Sequence, residues 1–107
     1  MELIEVRGNG DQELLSGLIR IHVLYHACRG PIFGLDIIEK LRRHGYKLSP
    51  GTLYPLLHKL EKRGYLRSKD IRSGRVARRL YRATPAGQKA LARTREKVRE
   101  LLGELLE

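Results

Sequence analysis

At 107 residues, with 22 Lys and Arg against 12 Asp and Glu, the chain has the size of one domain and a net charge of +10. That sign favours a polyanionic partner, nucleic acid or anionic membrane. One cysteine, Cys28, rules out an intrachain disulfide or a thiol zinc cluster, and no apolar run reaches bilayer length. A soluble, cytoplasmic protein with no membrane attachment is expected.

Residues 1–10 end in Gly8-Asn9-Gly10 and read as a leader. Asp11 then caps a helical run to Cys28 that is apolar on two sides, Leu14, Leu18, Ile21, Tyr25 and Cys28 on one and Leu15, Ile19 and Val23 on the other. A helix apolar on two faces needs two partners, and in so small a domain the second is expected to be another chain. Residues 32–44 form a second helix with Leu35, Ile38 and Leu41 inward, and Tyr46-Lys47-Leu48 is a short extended link.

Ser49 caps the third helix, where Leu53, Leu56, Leu57 and Leu60 recur at helical spacing up to the stop at Gly64. Pro55 interrupts it six positions after the cap. A start at Thr52 would leave its missing N–H among the unpaired first turn, whereas a start at Pro50 would sacrifice one bond, to Gly51. Either way the proline stiffens a short edge that is expected to set Thr52 and Tyr54 outward.

After Gly64 come two strand-like runs, Tyr65–Asp70 and Ala77–Ala83, joined through a Ser-Gly turn signal. From Lys59 to Arg82 there are ten basic residues against Glu61 and Asp70, a net of +8 in 24 residues. An ion-paired surface would mix both signs, so this stretch reads as a footprint for a polyanion. Thr84-Pro85 opens a last helix in which Leu91, Val98 and Leu105 recur every seven residues beside Leu101 and Leu102. Two heptads are too few for a free coiled coil, so this helix must dock.

The fold class is therefore α+β, mostly α: a leader at 1–10, a winged helix-turn-helix at 11–83 and a dimerisation helix at 84–107. In such a fold the third helix enters the major groove and the hairpin meets backbone or minor groove. Ser49, Gly51, Thr52, Tyr54, Pro55, His58, Lys59 and Lys62 are the candidate DNA contacts on the helix, with Arg72 and Arg75 at the hairpin tip. Thr52 and Tyr54 carry groups that read bases, and the cations suit phosphates. Arg67, Lys69, Arg78 and Arg82 have the bland alternative of being a solvated strand face. Leu15, Ile19, Leu91, Val98, Leu101, Leu102 and Leu105 are the candidate homodimer contacts.

The string Ser49-Pro50-Gly51-Thr52-Leu53-Tyr54-Pro55-Leu56-Leu57, with Leu60-Glu61 and Gly64-Tyr65-Leu66 after it, closely resembles the signature of PadR-like transcriptional regulators. Gly30-Pro31-Ile32-Phe33-Gly34-Leu35-Asp36-Ile37 and Tyr81-Arg82-Ala83-Thr84-Pro85-Ala86-Gly87 are similar to that family's second-helix opening and wing exit. The resemblance covers about residues 14–91 and implies a dimeric repressor, paired through its first and last helices on a palindromic operator in double-stranded DNA. Leu35 and Ala83 depart from the family's usual Tyr and larger aliphatic. An unidentified small-molecule effector is compatible with it, in an apolar cavity between the first and last helices lined by Leu18, Ile21, Tyr25 and Val98, a set that a dry dimer core equally requires.

His22 and His26 have metal-binding spacing on the first helix but lack a third ligand in sequence, so no metal and no cofactor are expected. No nucleophile elbow or phosphate loop appears, and an enzyme is not expected. The competing reading is a winged helix that binds RNA or a protein without operator specificity. A membrane-surface role lacks its basic amphipathic helix with aromatics.

Overall fold

Short helices hold their shape in a small domain by burying their apolar faces against one another. The computed structural model of the chain describes residues 4–5 and 11–107. In order these are β1 (Ile4–Glu5), α1 (Asp11–Arg29), β2 (Ile32–Phe33), α2 (Gly34–Arg43), β3 (Tyr46–Lys47), α3 (Pro50–Lys62), β4 (Leu66–Ser73), β5 (Val76–Ala83) and α4 (Pro85–Leu105). Three helices, a hairpin and a final helix make a winged helix-turn-helix. Ile19 and Val23 of α1, Ile37 and Leu41 of α2, and Leu53 and Leu57 of α3 are fully buried together at its centre.

The two faces of α1 separate in a way its sequence leaves open. Ile19, Val23, Leu24 and Ala27 go into the subunit core, while Leu14, Leu18 and Tyr25 stay exposed. Ile19, at 1% exposure, is thus a core residue and not a dimer contact, and Leu15 packs partly against the same core. Leu91 is likewise buried within its own subunit. In α2 the inward residues are Gly34, Ile37 and Leu41, and Leu35 is exposed.

Two further expectations change at the strands. Ile32 and Phe33 do not begin α2; they pair antiparallel with Tyr81 and Leu80, giving a sheet ordered β2-β5-β4. Ile4 and Glu5 of the expected leader pair in parallel with Tyr46 and Lys47. Gly8-Asn9-Gly10 lies outside the described residues. The hairpin is tighter than the sequence suggests, because Ser73 pairs with Val76 and only Gly74 and Arg75 form the loop. Gly74 has φ +61°, at the first loop position where a type II′ turn needs glycine.

α3 begins at Pro50, directly after Ser49. Of the two alternatives for Pro55, the second therefore holds: the lost bond is the one to the Gly51 carbonyl, and Gly51 and Pro55 both face solvent. Thr84 sets α4. Its hydroxyl donates to the Gly64 carbonyl and accepts from the Gly87 N–H at 3.0 Å, while its own N–H donates to the Tyr65 carbonyl at 3.1 Å. Past Leu91 the side chains of α4 are exposed, apart from a half-buried Thr94. The molecule extends 54 Å in its longest dimension, and its radius of gyration of 14.5 Å exceeds the roughly 13 Å of a compact chain this long.

Candidate nucleic-acid interface

The leucines of α3 that fill the core leave the opposite face to solvent. Ser49, Gly51, Pro55, His58, Lys59, Lys62 and Arg63 are exposed there, with no exposed carboxylate among them. The Ser49 and Thr52 hydroxyls lie 3.2 Å apart in a hydrogen bond that joins the cap to the first turn. Two of the residues chosen for base reading are not free side chains on this face. Thr52 is half-buried beside Ser16, Ile19 and Arg20 of α1.

Tyr54 is turned toward α2. A methyl group placed on Gly34 would lie 2.7 Å from its hydroxyl oxygen, so the absence of a side chain at Gly34 lets the ring pack over the start of α2. Its contact joins the two helices of the turn. A shallow groove nearby is bounded by Leu35, Tyr54, Ala77 and Arg78, so the exposed Leu35, the start of α3 and the wing stem share one surface.

The wing's cations divide into two groups. Arg79 donates to Asp70 at 3.0 Å and approaches Glu61 at 4.0 Å, and the hydrogen bond to Asp70 pushes its guanidinium further up from its already high range. Glu61 also accepts from the Ser68 hydroxyl at 2.7 Å. Arg78 lies over the Phe33 ring, 3.9 Å from its centroid, and 3.8 Å from Asp36. These two arginines brace the wing. Arg72 and Arg75 at the tip are exposed and form no ion pair among the described residues. Arg67, Lys69 and Arg82 are exposed along the strands.

Over residues 23–93 the chain matches the model of the "Transcriptional regulator PadR-like family". The chain belongs to that family. Among relatives of this PadR-like chain, Transcriptional regulator Rv3488 of Mycobacterium tuberculosis is 47% identical over 96 residues, spanning 89% of each protein. A PadR family transcriptional regulator from Eggerthella lenta has a similar crystal structure, with a TM-score of 0.78 and 33% identity over 90% of this chain and 88% of that one. Bacillus subtilis PadR, solved in complex with operator DNA, shares the fold at a TM-score of 0.64 and 20% identity, over 70% of this chain and 45% of its own.

Other features of this PadR-like chain were not legible from local patterns. His44, which follows α2, joins His22 and His26 of α1 in one cluster, with one ring nitrogen from each within 4.8 Å of the others. An open cleft of about 780 Å³ lies between the end of α1, β2 and α2, lined among others by Tyr25, His26, Phe33 and Lys40. This cleft is a different place from the ligand space expected between the first and last helices, and of the residues named there it shares Tyr25. No described helix is long and apolar enough to cross a membrane.

Proposed function

We propose that this regulator binds a palindromic operator in double-stranded DNA as a homodimer and represses transcription from it. The α3 helix enters the major groove, and the wing tip at Arg72 and Arg75 meets backbone or minor groove. One observation carries the reading: the solvent face of α3 is small and polar at its N-terminal end and cationic at its C-terminal end, and an unneutralised cationic tip extends from the same fold. Helix-turn-helix proteins read bases with the N-terminal part of that helix and hold phosphates with the flanking cations. The operator complex of Bacillus subtilis PadR supports the same use of a like fold.

The homodimer reading rests on apolar surface that the subunit leaves uncovered. Leu14 and Leu18 of α1 and Val98, Leu101, Leu102 and Leu105 of α4 are exposed, and α4 projects beyond the core. On a helix turning 100° per residue the four α4 residues fall on one stripe, the form that pairs with a second copy. The α1 contacts are thus reassigned from Leu15 and Ile19 to Leu14 and Leu18. Two-fold symmetry would then set the recognition helices on half-sites about 34 Å apart. A small-molecule effector would be sought in the cleft beside Tyr25 and Phe33.

Selection of bound duplexes from a random pool tests the operator. A palindromic consensus, bound far more tightly than scrambled duplex, is the expected result. Equal affinity for every duplex refutes operator recognition and leaves a general polyanion binder, and preference for RNA favours the competing module.

A further inference from the structure

His22 and His26 stand one helical turn apart on α1, and His44, the C-cap residue of α2, stacks on His22 with ring centroids 4.8 Å apart. One ligand nitrogen from each of the three lies within 4.8 Å of the other two. We propose that these three histidines form a binding site for a divalent transition-metal ion of the zinc class. Cofactors were not expected from the sequence because His44 is 18 residues beyond His26, and only the packing of α2 on α1 brings it in.

Two independent features support the site. Nitrogen donors about 2.0–2.1 Å from a tetrahedral ion lie about 3.4 Å from one another, so the cluster must contract by little more than 1 Å. His44 is exposed and can supply that movement by a rotamer change. His26 Nε2 is buried with no hydrogen-bond partner among the described residues, a condition that costs free energy unless a ligand takes up the lone pair or proton.

The donor set selects the metal. Three imidazoles without a thiolate suit Zn(II), and also Ni(II), Co(II) or Cu(II), but not Mg(II) or Ca(II), which want oxygen. Three protein ligands leave a fourth position for water or another small ligand. A positive charge at Lys40, near enough to act on His26, opposes the ion and restrains its affinity. The bound metal would tie the corner between α2 and β3 to α1, with His44 six residues ahead of the Pro50 that starts α3.

The test is calorimetric titration of tag-free, chelator-stripped full-length protein with zinc chloride, with magnesium chloride as the control. One zinc ion per chain, no magnesium binding, and affinity at least about tenfold weaker in His44→Gln and His26→Gln are expected. Cobalt(II) should give the intense visible bands of a four-coordinate site, and those should vanish in the same variants. Cys28→Ser should bind as the parent does. No saturable zinc binding, parental affinity in His44→Gln, or loss of binding in Cys28→Ser overturns the site. Circular dichroism establishes that each variant is folded, and His44 is exposed enough for its replacement to be tolerated. No DNA enters the titration, so its failure is separate from any failure of the operator reading.

Discussion

Replacing Arg72 and Arg75 with alanine removes the two wing cations that have no acidic partner, while leaving the bracing pairs of Arg78 and Arg79 in place. Each phosphate contact contributes about 0.9 to the slope of log affinity against log salt. Two arginines on each of two subunits therefore lower the slope of the double variant by about 3.6. Between 50 and 200 mM salt, a change of that size makes the parent lose roughly 150-fold more affinity than the variant. Fluorescence anisotropy on a labelled operator, repeated across that salt range, measures both slopes. The effect should be equal on scrambled duplex, because a tip on the backbone carries no sequence information. Arg79→Ala is the matched control: its charge is already offset by Asp70, so its slope should move less than that of Arg75→Ala. An unchanged slope in the double variant, or a larger change for Arg79→Ala, refutes the assignment of the tip as the phosphate contact.

Three other outcomes are expected. In Gly87→Ala the new methyl would run into the Tyr65 carbonyl oxygen, at the junction where Thr84 holds α4 to the wing. Overpacking costs about 1–3 kcal/mol and helix propensity returns about 1, so the melting midpoint should fall by about 5–10 °C, read by circular dichroism at fixed chain concentration. Gly103→Ala meets open space on the side of α4 away from its apolar stripe and should melt no lower than the parent. Leu101→Glu with Leu105→Glu places charge on the projecting stripe, and light scattering should then report the 12.3 kDa chain in place of a species of twice that mass. A parental mass in that variant excludes the stripe as the interface. Finally, His22 and His26 have folded pKa values below their unfolded ones, so the unfolded chain binds more protons. Without metal, stability should fall as pH drops through about 6.5, the unfolded histidine value, and level off below the folded values. The fall should be smaller in His26→Gln; an equal fall assigns it to other groups.

Local rules alone determined much of this protein. Ser49 and Thr84 mark the starts of α3 and α4, and Pro at the first position of each follows from its preset φ. The leucine spacing of α3 names its buried face, Gly74 names the wing turn, and the charge between Lys59 and Arg82 names the class of partner. These signals are short-range, and each residue carries its reason within a few neighbours.

Tertiary packing decided the rest. On α1 both apolar faces satisfy the same helical periodicity, so only the common core that Ile19 and Val23 share with residues of the other helices shows which one is inside. Tyr54 has the chemistry of a base reader, yet the missing side chain at Gly34 offers its ring a place on α2. Arg75 and Arg79 look alike in sequence, and only the register that sets Asp70 opposite Arg79 separates a bracing charge from one open to phosphate. The histidine cluster is the furthest of these from sequence: His22 and His26 meet by helix geometry, but His44 reaches them because the second helix ends against the first.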